Sequence, residues 1–439
     1  MDGGPVGATA TIAKGGESSR VRLPPLWLFG ALAAVLLLLA APKDYGDVFE
    51  YHCYALDFWQ GAQVANHALP AVCSIKLPDL AAQPLHELPR EYGPLSLLVF
   101  SVPLLAPTDW YDTVFHVLMC GLILGVAWLL ARVGPRGAGH LWLLYTLLGA
   151  MLEAAGRFDI LPAALTLIAL LAAQRQRMNL AYAAVALGTL LKYYPLALLP
   201  LLLIETWRLR RERPVWMGPA IFAAIVTAGE GMAVLIDPMR ALEPLGFLGA
   251  RCVEAEAFPA TVDYFWASLI HQQVRFVPST LYSSTCQIGP GSDIIPTVVA
   301  LVGVAGLGGM YWLFLRGRLA LSSGFLFVIG IAILSAKVFS VQYLLWLSPF
   351  IAYIYGMQAG AVLGWGAVCL LTSLYYPVAI SPWVIVYMGT WMVEHSPLLI
   401  AMRNVVMVVV GGRALETSLR ETHGQAGKMS LERAERSAP

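Results

Sequence analysis

The chain has 439 residues, of which 58% are hydrophobic and 13% charged, and its formal net charge is +1. Soluble domains average about 25% charged residues, so this composition, with a mean hydropathy of +0.69, excludes an ordinary soluble enzyme. The near-neutral balance gives no sign of a nucleic-acid partner.

In chain order, a polar tail over about 1–24 ends in Arg20 and Arg22 and precedes the first apolar segment, Leu26 to Ala41. The tail lacks the pattern of a cleavable signal peptide, so the segment is expected to stay as an anchor with the amino terminus in the cytoplasm. Later apolar stretches approach the roughly 20 residues needed to span a bilayer. They are apolar on every face rather than alternating, which favours helices over a β-barrel. The expectation is an all-α polytopic membrane protein with about 10 to 13 membrane helices.

Basic clusters at Arg132/Arg136, Arg175/Arg177, Arg208 to Arg213, Arg316/Arg318 and from Arg403 onward mark further cytoplasmic turns. The opposite side then carries two long loops, about 43–91 and 237–292. Between Glu91 and Arg132 lie two apolar pieces, Leu95 to Leu105 and Thr113 to Leu130, where the charges require an odd number of crossings. One piece is expected to dip without crossing. Leu180 to Ile204 has basic residues on both sides and Lys192-Tyr193-Tyr194-Pro195 in its middle. Proline breaks helices and an intramembrane lysine is costly, which predicts two short legs with Lys192 at the outer tip. The alternative is one tilted helix with a snorkelling lysine. The membrane domain is expected over 25–411, followed by a disordered cytoplasmic tail over 412–439.

Cys53 and Cys73 fall in the first long loop and Cys252 and Cys286 in the second, so two loop disulfides are expected if that side is oxidising. Cys120 and Cys369 fall inside predicted spans. No Cys/His spacing suits a metal, and neither metal nor cofactor is expected.

The chemistry-bearing residues cluster on the loop side. Asp47 and Glu50 are three apart, which puts both carboxylates on one helical face beside Tyr51 and Tyr54. A carboxylate near an apolar boundary becomes a better base as desolvation favours its protonated form. Asp57, Asp79 and Glu87 read as ordinary loop acids. Arg157, Lys192, Arg251 and Lys337 reach the same side from separate stretches, and such cations are the usual partners of phosphate oxygens.

The runs Gly46-Asp47 with Tyr51, Glu91-Tyr92-Gly93-Pro94-Leu95, Leu191-Lys192-Tyr193-Tyr194-Pro195, Ala250-Arg251 through Glu256, and Lys337-Val338-Phe339-Ser340-Val341-Gln342-Tyr343 resemble the GT-C superfamily of membrane glycosyltransferases. The resemblance is strongest to the polyprenyl-phosphate-mannose-dependent α-mannosyltransferases of glycosyltransferase family 87, the phosphatidylinositol mannoside type. It implies a multi-pass plasma-membrane enzyme with its active site outside, a polyprenyl-phosphate sugar donor, and a glycolipid or glycan acceptor. It implies that Asp47, with Glu50 as fallback, is the base of an inverting, metal-independent transfer. Donor phosphate would fall to Lys192, Arg251 and Lys337, with Arg157 next, and substrate contacts to Tyr51, Tyr92, Glu256, Gln342 and Tyr343. Three departures are Tyr92-Gly93-Pro94, where members commonly carry two prolines, Val341, where a proline is common, and the acids Asp44, Asp47 and Glu50 of the first loop, where many members place an Asp with fewer acidic neighbours, so that more than one carboxylate is a candidate base. The rival reading is a secondary transporter or flippase of a lipid-linked or anionic substrate, but no internal repeat supports it.

Overall fold

A computed structural model describes residues 23–41, 46–69, 73, 74, 77, 80–209, 216–279, 284–380 and 397–422. Asp44, Asp79 and most of the two polar tails lie outside the described residues. Among the described residues the regular structure is helical except for one antiparallel hairpin, β1 (Arg275–Ser279) with β2 (Ser284–Ile288). The helices are α1 (Leu26–Ala40), α2 (Asp47–Gln60), α3 (Ala62–Ala68), α4 (Ser96–Ser101), α5 (Tyr111–Val133), α6 (Ala138–Ala150), α7 (Ile160–Gln174), α8 (Met178–Leu191), α9 (Leu199–Leu209), α10 (Met217–Ile236), α11 (Pro238–Ala250), α12 (Phe258–Leu269), α13 (Ile295–Leu315), α14 (Leu321–Ser335), α15 (Leu344–Tyr355) and α16 (Ala359–Ile380). A last helix, α17, runs Pro397–Thr422.

Among the described residues, four helices are long and apolar enough to cross a membrane, and eight shorter apolar helices accompany them. Leucines and valines face outward along the long helices, as on Leu301, Val302 and Val304 of α13, which is where lipid rather than protein would cover them. Inside the bundle, small residues let backbones approach. A Cβ at Gly139 of α6 would stand 2.4 Å from the Ala127 carbonyl of α5.

The two sequence ambiguities resolve on geometry. Ser96–Leu105 reaches only about 15 to 20 Å, half a hydrocarbon core, so it is the piece that cannot cross; α5 is the one that can. Around Lys192, α8 stops, a 3-10 turn covers Tyr194–Leu198, and α9 follows. The Tyr182 hydroxyl, early in α8, hydrogen-bonds Thr206, late in α9, at 2.9 Å. The legs are antiparallel and Lys192 is at their tip.

Two expectations are corrected at the carboxyl end. α17 continues to Thr422, so the described residues 412–422 are helix, not disordered tail. Leu415 packs on the core, Ser418 hydrogen-bonds Ser323 at 3.1 Å and Thr422 donates to the Arg318 carbonyl at 2.8 Å, which docks the last turns. Arg403 is not a cytoplasmic flank. It is buried, lies 3.8 Å above the Phe339 ring and donates to the Glu256 carbonyl in the second long loop. The cation–π contact, that carbonyl and the Asn404 side-chain oxygen, 3.1 Å from Nε, help to satisfy its charge.

The two long loops meet each other. Asp237 caps α11 by accepting from the Met239 and Arg240 amides at 2.8 and 3.1 Å, with Pro238 at the first helical position. The capped turn aims Arg240 at Glu87 of the first loop, 2.7 Å away. Arg90 and Glu243 add a second contact at 3.6 Å. Both expected disulfides are formed, Cys53–Cys73 and Cys252–Cys286, each with Cα atoms 5.7 Å apart.

Candidate active site

Gly46, at φ 106, turns the chain into α2 through backbone space that favours glycine. Asp47 is the first residue of α2, with Glu50 in the same turn, where the amino-terminal end of the helix dipole favours acids. Tyr51, one turn on, is fully buried, stacks on Phe100 at 4.2 Å and meets Tyr92 and Phe158 edge-on. This aromatic floor fixes the helix that carries Asp47. Three groups converge on Asp47 Oδ2: the Arg157 guanidinium and, through long contacts of 3.5 and 3.4 Å, the Tyr51 and Tyr92 hydroxyls. Among the described residues nothing bonds Oδ1, and the side chain keeps 15% exposure. Arg157 is held in turn by Glu153 Oε2 at 2.9 Å.

The Glu91-Tyr92-Gly93-Pro94 run lies across the end of α8. The Gly93 and Leu95 amides donate to the Leu191 and Leu190 carbonyls at 3.2 and 3.0 Å, groups that a helix end otherwise leaves unpaired. A Cβ on Gly93 would fall 2.2 Å from the Leu190 carbonyl oxygen, so only glycine allows this approach. The next residue after that helix end is Lys192.

Lys192 Nζ donates to Asp159 Oδ1 at 2.7 Å and sits 5.2 to 5.6 Å from the ring centres of Tyr92, Phe158, Tyr343 and Trp346. Trp346 donates to the same Asp159 oxygen at 2.9 Å and is sandwiched between Tyr194 and Tyr343. Burial pushes the Lys192 ammonium down from its ordinary value, and Asp159 pulls it back up.

Arg251, just past α11, donates to Glu254 Oε1 at 2.7 Å and faces Glu91 Oε2 at 3.7 Å. Glu254 knots three elements together. Its second oxygen accepts the Phe339 amide at 3.2 Å, its own amide donates to the Lys337 carbonyl at 2.9 Å, and its backbone bridges Cys286 of β2. Burial, against the pull of Arg251 and with a push from Glu50, raises the Glu91 carboxyl to about 7.

Of the residues expected from sequence, the structure joins Asp47, Tyr51, Tyr92, Arg157, Lys192, Arg251 and Tyr343 through shared contacts. Glu50 takes part through its charge, which acts on Tyr51 and Glu91. Lys337 turns its ammonium to the Gly249 carbonyl, 3.2 Å away, and serves Glu254 through its backbone. Glu256 offers its carbonyl to Arg403 and to Asn404. Gln342 is buried with no partner for Oε1 among the described residues. Sequence reasoning passed over Glu153, Asp159, Glu254, Trp346 and Arg403 as site residues. Asp159 carried a signal, an acid two residues from Arg157 beside an apolar stretch, and Glu153 stands one helical turn before Arg157.

The sequence matches glycosyltransferase family 87 over residues 91–341. The chain belongs to this family. It is a membrane glycosyltransferase, and the matched region runs from Glu91 to Val341, taking in Arg157, Lys192, Arg251 and Lys337 and stopping short of Asp47. No match was found among curated proteins or solved structures.

Proposed function

We propose that this family 87 enzyme transfers a sugar, mannose by resemblance, from a polyprenyl-phosphate donor to a hydroxyl of a glycolipid or glycan on the outer face of the plasma membrane. Asp47 Oδ1 takes the proton of the acceptor hydroxyl as that oxygen bonds the anomeric carbon from the face opposite the phosphate. The bond from the anomeric carbon to the phosphate oxygen breaks, the electron pair leaves with the lipid phosphate, and configuration inverts. Lys192 and Arg251 meet the charge of the leaving phosphate, so the step needs no metal.

One observation carries the reading. Arg157, Phe158 and Asp159, consecutive in the turn before α7, hold Asp47 through Arg157 and Lys192 through Asp159, so the base and a phosphate-binding cation hang from one tripeptide. A base and a leaving-group site must stay at fixed separation for an in-line displacement. The outward orientation is supported by the disulfides in both loops, since such bonds persist in oxidising compartments.

The test is purified enzyme in liposomes with polyprenyl-phosphate mannose and a phosphatidylinositol-based acceptor, the product anomer being read by NMR. Transfer with inverted configuration is expected. Transfer with retained configuration, or uptake of the donor without transfer, overturns the reading.

A further inference from the structure

The cations assigned to the donor phosphate already have carboxylate partners, and those partners are unequal. Asp159 holds Lys192 at 2.7 Å with 1% of its side chain exposed, and Glu254 holds Arg251 at 2.7 Å with 9% exposed. Glu91 stands 3.7 Å from Arg251 with 26% exposed. Two are short, buried pairs that give the cations their shape. The third is long and open to exchange.

Resting on the donor reading above, we propose that Glu91 is the internal stand-in for the donor phosphate: its carboxylate occupies the Arg251 and Lys192 field when the site is empty, and it gives way and takes up a proton when a phosphodiester docks. Three facts lead there. Glu91 opens the Glu91–Leu95 strap whose Gly93 and Leu95 amides are tied to the end of α8 beside Lys192, so it cannot drift from the cations when displaced. It is crowded by Glu50 from α2 and Glu254 from the second loop, two like charges that oppose its ionised form as soon as Arg251 turns to another anion. The tyrosines whose own ionisation feels it, Tyr51, Tyr54, Tyr92 and Tyr343, stay neutral in this range and cannot take the proton's place. Its proton affinity is already high, with the carboxyl pushed up to about 7, so uptake on docking costs little near neutral pH.

The consequence is donor affinity linked to one proton. If only the form with Glu91 protonated admits the phosphodiester, the apparent affinity falls about tenfold from about pH 6 to about pH 8. The probe is a short-chain polyprenyl methyl phosphodiester, whose own charge does not change in that range. Calorimetry in buffers of differing ionisation enthalpy counts the protons taken up. Wild-type enzyme should take up a measurable fraction of a proton near about pH 7.5, with pH-dependent affinity. The Glu91→Gln enzyme should take up none and bind at high pH about as tightly as wild type does at low pH. Should Glu91→Gln fail to fold, proton uptake by the wild type alone decides. Binding without proton uptake, or Glu91→Gln binding with the wild-type pH dependence, overturns the stand-in role and leaves the donor class standing. No binding of the phosphodiester at any pH overturns both.

Discussion

Lys192 donates a 2.7 Å hydrogen bond to Asp159 inside a wall of aromatic rings, and this pairing is what keeps an ammonium charged in so dry a place. Burial alone pushes the lysine toward its neutral form; Asp159 opposes it. Asp159→Asn removes the opposition, so the Lys192 proton is lost at a lower pH than in the wild type. The alkaline limb of the pH–rate profile should move to lower pH, and on the alkaline side of that limb donor affinity should fall roughly 10- to 150-fold, the worth of one charge-assisted contact. An alkaline limb in its wild-type place would mean that Lys192 is not the titrating phosphate partner.

Asp47→Asn keeps an oxygen for Arg157 and the tyrosine hydroxyls while removing the ability to accept the acceptor's proton. Turnover should fall about 10²- to 10⁴-fold with donor affinity nearly unchanged, as for loss of a general base. Steady-state kinetics with a direct binding measurement separate the two parameters. Near-wild-type turnover would pass the role to Glu50 or exclude a carboxylate base in this loop.

The fold class and much of the candidate site were legible because hydrophobic runs, prolines and basic turns are local signals. Pro195 after Lys192 announced a break, and the structure has one there. What escaped depends on contacts between distant parts of the chain. Glu254 looks like a loop acid until the Phe339 amide and Arg251 are seen on its two oxygens. Arg403 reads as a basic flank because its sequence neighbours do not reveal the Phe339 ring 3.8 Å away. The polar stretch from Arg413 to Thr422 reads as tail by composition, yet Leu415 and Ser418 face the bundle at helical spacing.

Gly93 gives a steric test of the same region. An alanine methyl there must displace the Leu190 carbonyl from 2.2 Å, moving the end of α8 and with it Lys192, at a cost of about 1 to 3 kcal/mol. Gly93→Ala should therefore lower both the apparent unfolding temperature and donor affinity. Gly121→Ala is the control, since a Cβ at that helical position meets nothing within 4 Å and alanine is the better helix former. Equal behaviour of the two variants would refute the close-approach argument.

Sidedness can be checked without activity. Gln83 and Gln272 are exposed in the first and second long loops, which Arg240 and Glu87 tie together. Cysteines introduced at both positions should react with a membrane-impermeant maleimide added to intact cells. Labelling of only one of them, or labelling only after permeabilisation, would contradict the outward placement.

The joint between those loops should make the folded protein sensitive to alkali. Asp57 and Glu87 are both fully buried and lie against one another. Arg240 reaches Glu87 Oε1 at 2.7 Å and the Ala81 amide reaches Oε2 at 2.7 Å, and the charge of Arg90 acts on Glu87 as well. Burial, more than the opposing pull of Arg240, raises the proton affinity of both above the ordinary carboxylate range, Glu87 most. The pair therefore retains a proton that the unfolded chain has already released. A folded state that binds the extra proton gains stability at low pH, and that stability is lost as pH rises from the ordinary carboxylate range through the raised value. The apparent unfolding temperature in detergent should fall between about pH 5 and about pH 8, equivalent to about 1 to 3 kcal/mol. In Glu87→Gln the amide cannot ionise and still offers an oxygen to Arg240, at the cost of the Ala81 amide's acceptor, so the fall should flatten. A pH slope identical in wild type and Glu87→Gln would place the alkaline sensitivity elsewhere in the molecule.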